Sequence, residues 1–297
     1  MPAQILDGRK VAEAMRAEMK AEAARLKETH GVTPGLAAVL VGDDPASAAY
    51  VGMKRRACRD MGLHSVMHRL AADTPEPDLI DLIHRLNADP GIHGILVQLP
   101  LPKGFDEPGI LGAVHPDKDV DGIHPVNVGK MVIGEPCYLP CTPYGIQQLL
   151  LRSGIGIEGR HVVVVGRSNI VGKPVANILL QKRPGANATV TLCHTGTRNL
   201  AYFTRQADIL IVAAGRRNTV TADMVREGVV VVDVGTNSVP DPSAERGRRL
   251  VGDVDFEGVS QKASAISPVP GGVGPMTITM LLHNTIQSAR RHHGLPE

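Results

Sequence analysis

The segment His161-Val-Val-Val-Val-Gly166-Arg167-Ser168-Asn-Ile-Val-Gly172-Lys-Pro174 decides how the chain is read. Four consecutive valines closed by a glycine make a short strand buried on both faces, the pattern of a parallel sheet. Gly166 ends that strand in a tight turn. Pro174 suits the first turn of a helix, where its missing N–H costs nothing. Strand, glycine turn and helix N-terminus together aim free backbone N–H groups at a phosphate. The spacing departs from G-x-G-x-x-G, since Ser168 stands in place of the second glycine and Gly172 arrives one residue late. Taken alone, such a loop reads equally well as an ordinary βα turn.

The sequence beyond Pro174 favours the phosphate reading. A helix is expected over 174–182, then strands over 188–192 and 208–212, the latter running into Ala213-Ala-Gly215. Another strand is Gly228-Val-Val-Val-Val-Asp233-Val-Gly235. Strands alternating with helices imply a parallel, right-handed α/β sheet. Ligands of such sheets sit at the carboxyl ends of the strands. An NAD site usually places an acidic residue about 20 residues beyond the loop, on the ribose 2′-hydroxyl. Here the second strand ends Cys193-His194-Thr195, without a carboxylate, and Arg167 lies in the loop. A 2′-phosphate meets a cation and a hydroxyl there, so NADP is favoured over NAD.

The 297 residues are 43% hydrophobic and 21% charged, ordinary values for a globular protein, and the length suggests about two domains. A formal net charge of +2 with both signs interspersed gives no electrostatic case for nucleic acid or membrane binding. No Trp and three Phe leave little for bases to stack on. The four cysteines, Cys58, Cys137, Cys141 and Cys193, form no C-x-x-C pair and read as thiols in a reducing compartment. Charges at Asp7, Arg9 and Lys10 interrupt any signal sequence, and no apolar run is long enough to span a bilayer. A cytoplasmic protein is expected.

In chain order, 8–29 reads as an amphipathic helix and 36–41 as a strand that turns at Gly42-Asp-Asp-Pro45. A helix over 47–61 carries Tyr50, Lys54, Arg55 and Arg56. Then come a strand over 64–70, a helix over 77–87, and a strand over 93–97 that runs into Gln98-Leu-Pro-Leu-Pro102. His64 and His68 have the spacing of helical metal ligands, but four residues along a strand is too far for a shared ion. The first half is thus α/β without a phosphate loop, and is the natural substrate half. Residues 102–143 show no sustained periodicity. Their Asp117-Lys118-Asp-Val-Asp121 run contains a lysine and lacks EF-hand spacing, so no metal site is expected. A helix over 143–152 leads into the second half. Ser267-Pro-Val-Pro270-Gly271-Gly272-Val-Gly274-Pro275 reads as a loop whose backbone approaches a ligand, and a last helix over 276–290 returns to the first half. The expected domains are 1–143 plus 276–297, and 144–275.

Seven segments in order carry a resemblance. They are Ser47-Ala-Ala-Tyr50-Val-Gly-Met-Lys54, Val97-Gln98-Leu99-Pro-Leu-Pro102, Asp117-Lys-Asp-Val-Asp121-Gly, Pro140-Cys-Thr-Pro143, Gly166-Arg-Ser168, Gly252-Asp-Val-Asp-Phe256 and Pro268-Val-Pro-Gly-Gly-Val-Gly-Pro275-Met-Thr277. Along nearly its whole length the chain resembles bifunctional methylenetetrahydrofolate dehydrogenase/methenyltetrahydrofolate cyclohydrolases. The resemblance implies two α/β domains, the second a Rossmann-like sheet binding NADP, a folate cleft between them, and a homodimer. It assigns Tyr50, Lys54, Gln98 and Asp121 to folate chemistry, with Val97, Leu99, Pro270 and Gly271 also against the substrate. Around NADP it places Gly166, Arg167, Ser168, Gly172, Thr195 and Thr236. The chain departs from the family's usual pattern with Tyr144, Thr195 and Thr236, and with a short insertion over 183–187.

The implied chemistry explains these residue types. Two nitrogens flank the one-carbon bridge of methylene-tetrahydrofolate and stabilise the cation left when hydride departs, so that step needs positioning more than acid–base help. Hydrolysis of the methenyl cation needs a group that moves protons near neutral pH. Lys54 is the candidate, because burial and a cationic substrate both favour a neutral amine over the ordinary pKa of about 10.4. Gln98 orients the amine without holding a proton on it. Asp121 pairs with the guanidine-like edge of the pterin, and Tyr50, one helical turn from Lys54, offers a stacking ring. Plainer readings exist: Lys54 as a solvated charge beside Arg55 and Arg56, Gln98 as a strand cap, Asp121 as a turn residue, Tyr50 as core. Their joint occurrence in the seven segments selects the catalytic reading. Two alternatives stay open, a monofunctional dehydrogenase of this fold and a non-catalytic folate- or NADP-binding protein.

Overall fold

The computed structural model of the chain describes residues 2–243 and 247–296. Its strands are β1 (Gln4–Ile5), β2 (Gly35–Val41), β3 (His64–Leu70), β4 (Gly94–Val97), β5 (His161–Val165), β6 (Thr189–Cys193), β7 (Ile209–Val212), β8 (Val230–Asp233), β9 (Asn237–Pro240), β10 (Arg248–Val251) and β11 (Ala265–Ile266). The helices are α1 (Gly8–His30), α2 (Pro45–Asp60), α3 (Glu76–Ala88), α4 (Glu107–Ala113), α5 (Pro125–Ile133), α6 (Cys141–Arg152), α7 (Gly172–Leu180), α8 (Leu200–Thr204), α9 (Phe256–Ser260) and α10 (Val273–His292). They form two compact units. One holds residues 14–141 and 278–297, the other 1–13 and 142–277.

The first of these units is built on a parallel three-stranded sheet in the order β3-β2-β4. All seven residues of the central strand β2 are buried, which explains its unbroken apolar run. Leu79 and Ile83 of α3 and Ile110 of α4 pack against Ala37, Val39, Ile95 and Val97. The turn after β2 delivers α2, started by the Asp44 carboxylate, which accepts from Ser47 N at 2.7 Å, with Pro45 in the first turn. Register pairs Val39 with Val97, so Gln98 comes directly after the end of β4. The stretch 102–143, which shows no sustained periodicity, contains α4, α5 and a 3₁₀ turn at Pro116–Lys118. These helices are too short to show a hydrophobic period. They start instead on prolines and on local caps such as His124, whose ring nitrogen accepts from Val126 N. Lys118 is buried and donates to the carbonyls of Leu86 and Asp89 at 3.1 and 2.7 Å.

The second unit carries a six-stranded, all-parallel sheet in the order β1-β11-β8-β7-β5-β6. The chain runs from β5 outward to β6 and then crosses back to β7 on the other side of β5. The order reverses between β5 and β7, and such a reversal opens a crevice at the carboxyl ends of the strands. Residues 1–13, expected with the first half, belong here. Gln4 and Ile5 pair with Ala265 and Ile266 and extend the sheet, a two-residue pairing with no signal of its own. An antiparallel hairpin of β9 and β10 comes after β8. The last helix begins at Val273, inside the segment expected to be loop.

Leu79 has no exposed surface and sits at the centre of the first unit's core. Leu79→Ala is expected to lower the unfolding free energy by about 2–5 kcal/mol, read from a urea titration of the full chain.

Candidate functional site

In the first unit the structure gathers Tyr50, Lys54, Gln98 and Asp121. Lys54 points inward from α2 and is only 5% exposed, whereas its neighbours Arg55 and Arg56 are exposed. Its Nζ donates to Gln98 Oε1 at 3.0 Å and lies 4.7 Å from the centroid of the Tyr50 ring. Gln98 in turn donates through Nε2 to the Leu99 carbonyl at 2.6 Å, which fixes the amide so that its oxygen faces the lysine. Leu99 precedes a cis proline, and Val97 is buried within β4. Burial lowers the pKa of Lys54 below the ordinary lysine value, against the opposing pull of the Asp121 carboxylate. The thiols of Cys58 and Cys141 are protonated: burial pushes Cys58 up to about 12 and Cys141 well above the ordinary range. A neutral carboxamide is thus the direct partner of a buried amine, and one nearby carboxylate acts on it through space.

The Asp121 turn is held from beneath. Asp119 is buried and accepts from Ile123 N, His124 N and Asn127 Nδ2 at 3.2, 2.8 and 2.8 Å. Burial raises its pKa to about 7, although these three bonds favour the ionised form. Asp119 lies in the Asp117–Asp121 run, where the sequence gives it no role of its own, and Asn127 does not stand out. Both lie in the aperiodic stretch, where only contacts made after folding reveal them.

In the second unit the expected cofactor residues lie along the carboxyl edge of the sheet. Gly166 (φ 126°) comes after β5, and a Cβ on it would stand 2.1 Å from the Ala213 carbonyl oxygen beyond β7. A Cβ on Gly172 would stand 2.0 Å from the Gly166 carbonyl oxygen. The two glycines therefore let the start of α7 close directly onto the end of β5, the packing a dinucleotide loop requires. Ser168 Oγ accepts from Val171 N and Gly172 N at 3.2 and 3.4 Å, substituting a hydroxyl turn for the missing glycine. β5 and β6 pair Val165 with Cys193, so Arg167 and Thr195 each lie two residues past paired ends, on neighbouring strands. Both are exposed, as is Thr236 beyond β8. This edge offers a close glycine turn, hydroxyls and an arginine with no carboxylate at the 195 position, a donor set that fits a dinucleotide bearing a 2′-phosphate.

Two buried carboxylates outside the expected set organise this edge. Asp253 Oδ2 accepts from Ala214 N and Gly215 N, both at 2.7 Å, and Oδ1 accepts from Asn237 Nδ2 at 2.8 Å. Asp233 accepts from Gly235 N, Asp253 N and Val254 N at 2.9, 2.9 and 3.0 Å. Burial raises the Asp233 pKa to about 6 despite these donors. Together they tie the loops after β7, β8 and β10 into one layer. The available signal was an aspartate ending an all-valine strand, where an apolar residue is the default.

Pro270 and Gly271 also belong to the second unit. Pro270 is exposed after a cis bond, and Gly271 has φ 113°. Beside this loop the chain packs closely, since a Cβ on Gly8 would lie 1.7 Å from the Gly272 carbonyl oxygen. Among the described residues, no group of three or more His, Cys, Asp or Glu could hold a metal ion, and no helix is long and apolar enough to cross a membrane.

Comparison with known proteins also divides the chain in two, with different boundaries at both ends. Residues 6–121 match the tetrahydrofolate dehydrogenase/cyclohydrolase catalytic domain, and residues 140–293 match the NAD(P)-binding domain of that family. The chain is 60% identical over 295 residues to a bifunctional protein FolD of Dehalococcoides mccartyi, spanning 99% of both. It is 59% identical to that of Syntrophus aciditrophicus, spanning 99% of this chain and all of the relative. Among solved structures, the bifunctional enzyme FolD from Campylobacter jejuni superposes with a TM-score of 0.91 at 48% identity, covering 97% of this chain and 99% of its own. The Trypanosoma brucei enzyme, solved with NADP cofactor and inhibitor, gives 0.93 at 40% identity, covering 98% of each chain.

Asp253→Ala would take the acceptor from the part-buried amides of Ala214 and Gly215, at about 1 kcal/mol for each bond lost. Hydrogen exchange should show the 213–215 and 252–254 amides losing protection while β2–β4 keep theirs.

Proposed function

The chain belongs to the tetrahydrofolate dehydrogenase/cyclohydrolase family, and from that premise we propose that it oxidises 5,10-methylenetetrahydrofolate with NADP and then hydrolyses the methenyl product to 10-formyltetrahydrofolate. The observation that carries this reading is the buried Lys54 held by Gln98 rather than by a carboxylate. The unit of residues 14–141 and 278–297 takes the folate, and the second unit takes the dinucleotide. NADP, when bound, supplies the hydride acceptor.

The protein's own residues place and serve the substrate. Asp121 receives the guanidine-like edge of the pterin in a two-point, charge-assisted contact, and Tyr50 stacks on the folate aromatics. Val97 and Leu99 complete the folate contacts within this unit. Hydride loss leaves a cation shared by the two flanking nitrogens, so holding the substrate is most of what that step asks. In hydrolysis, water attacks the methenyl carbon and loses a proton to the neutral amine of Lys54. The bond to N5 then breaks as N5 takes up a proton, and one proton is released overall. Gln98 keeps the amine aimed through its oxygen and, being uncharged, leaves the lowered pKa intact. Arg167, Ser168 and Thr195 receive the 2′-phosphate, the Gly166–Gly172 turn the pyrophosphate, and Thr236 lies further along the same edge. We also place the enzyme in the cytoplasm as a homodimer. Four cysteines outside any disulfide suit a reducing compartment, and the outer edge of β3 pairs with no strand among the described residues, an edge that proteins usually cover.

A monofunctional dehydrogenase would have no use for a buried, carboxamide-held lysine, and a mere binding protein would turn nothing over. With methylenetetrahydrofolate, NADPH should form without accumulation of the methenyl absorbance, and much faster than NADH from NAD. Accumulating methenyl product would reduce the protein to a dehydrogenase, and no reduced cofactor at all would leave only binding. Arg167→Ala should raise the KM for NADP by about tenfold or more while leaving the KM for NAD nearly unchanged, as expected for loss of a charge-assisted contact to the 2′-phosphate.

Lys54→Ala should reduce hydrolysis of added methenyltetrahydrofolate by about 10²-fold or more, with hydride transfer still measurable. Because burial lowers the Lys54 pKa, the active neutral form is reached below the ordinary lysine range. The wild-type hydrolytic rate should rise with pH through that lowered pKa and then level off. A rate in Lys54→Ala that keeps the wild-type rise would remove the lysine from the proton path.

A further inference from the structure

The Asp121 carboxylate has to face the folate and act on Lys54 from a turn that belongs to neither a helix nor a strand. Its backbone is fixed by contacts to 139–141 and to α10. Asn284, on α10 and 3% exposed, donates through Nδ2 to the Val120 carbonyl at 2.8 Å and to the Leu139 carbonyl at 3.0 Å. Cys141 adds its thiol to the same Val120 carbonyl at 3.3 Å, and its backbone N–H donates to the Asp121 carbonyl at 3.2 Å. Gly122 (φ 72°) has no room for a side chain, since a Cβ would lie 2.5 Å from the Leu139 carbonyl carbon. On the other side Val120 packs onto Gly94 of β4, where a Cβ would meet both valine methyls at 2.7 Å. The residues on either side of Asp121 are thus clamped, one against the strand that leads to Gln98 and the other against 139–140.

Among the described residues of this clamp, the Asn284 side chain bridges both segments, and its chemistry suits the task. Two carbonyls need two N–H donors from one point, which a carboxamide supplies and a carboxylate or leucine of similar size does not. We infer that Asn284 is the positioning residue for Asp121, setting the angle at which its carboxylate meets the folate. The inference rests on the folate contact proposed for Asp121.

Kinetics of both reactions in Asn284→Leu, Asp121→Asn and the double variant test it. Asn284→Leu should raise the folate KM by about tenfold in dehydrogenation and in hydrolysis alike. The NADP KM should stay within about twofold, and the double variant should bind folate no worse than Asp121→Asn alone, because two residues acting through one contact are not additive. If Asn284→Leu fails to fold, Asn284→Ser, which keeps one donor, carries the same comparison with a smaller rise. An unchanged folate KM in the Asn284 variant, or losses that multiply in the double variant, overturns the inference alone. An unchanged folate KM in Asp121→Asn overturns the role of Asp121, and the inference falls with it.

Discussion

The hydrogen bond from Lys54 to Gln98 is the constraint around which the first unit is arranged. A buried ammonium is costly unless a charge answers it, and a carboxylate partner would have been the cheap remedy for stability. It would also have locked the proton on. By meeting the lysine with a carboxamide oxygen, the fold accepts the desolvation cost and leaves the amine's pKa lowered, as the proposed proton transfer requires. The one carboxylate whose pull on the lysine is felt, Asp121, sits on a separately anchored turn. Its charge acts on Lys54 through space, which leaves it for the pterin contact proposed above.

That choice accounts for much of the surrounding construction. Gln98 must present its oxygen and not its nitrogen to Lys54, and the Leu99 carbonyl enforces this by accepting from Nε2. Asp121 must hold still without a helix beneath it, so Asp119 collects donors from the residues after the turn, and Asn284 and Cys141 hold the residues before it. The second unit solves a similar problem at its own edge. Loops that present backbone to a ligand cannot be fixed by that ligand in advance. Asp233 and Asp253, buried beneath them, accept the amides that would otherwise turn outward.

How much of this was legible depends on whether the cause is local. The valine runs of β5 and β8 and the apolar run of β2 announced parallel strands because burial on both faces leaves one kind of sequence. The limits expected for β3 agree with those observed. The short helices α4 and α5 were invisible because seven or nine residues hold too few turns for a period to emerge. β1 was missed because its pairing partner lies some 260 residues away. At the site, Tyr50, Lys54, Gln98 and Asp121 were marked only by their joint occurrence in family segments. Helical spacing alone placed Tyr50 beside Lys54, while the bond from Lys54 to Gln98 spans two elements that no local rule connects.

The residues to which the sequence assigned no role share a physical character. Asp119, Asp233, Asp253 and Asn284 are polar, buried and satisfied mainly by backbone groups. Composition rules send such residues to the surface, where Asp reads as a turn former and Asn as a helix misfit. Inside, they are tolerated only where each lone pair or N–H finds a partner. Four such residues here serve loops rather than the core, which is what a scaffold needs when its working parts lie in irregular backbone. A buried polar side chain satisfied by distant backbone is therefore a mark of positioning. It becomes visible only when the chain that supplies its partners has folded around it.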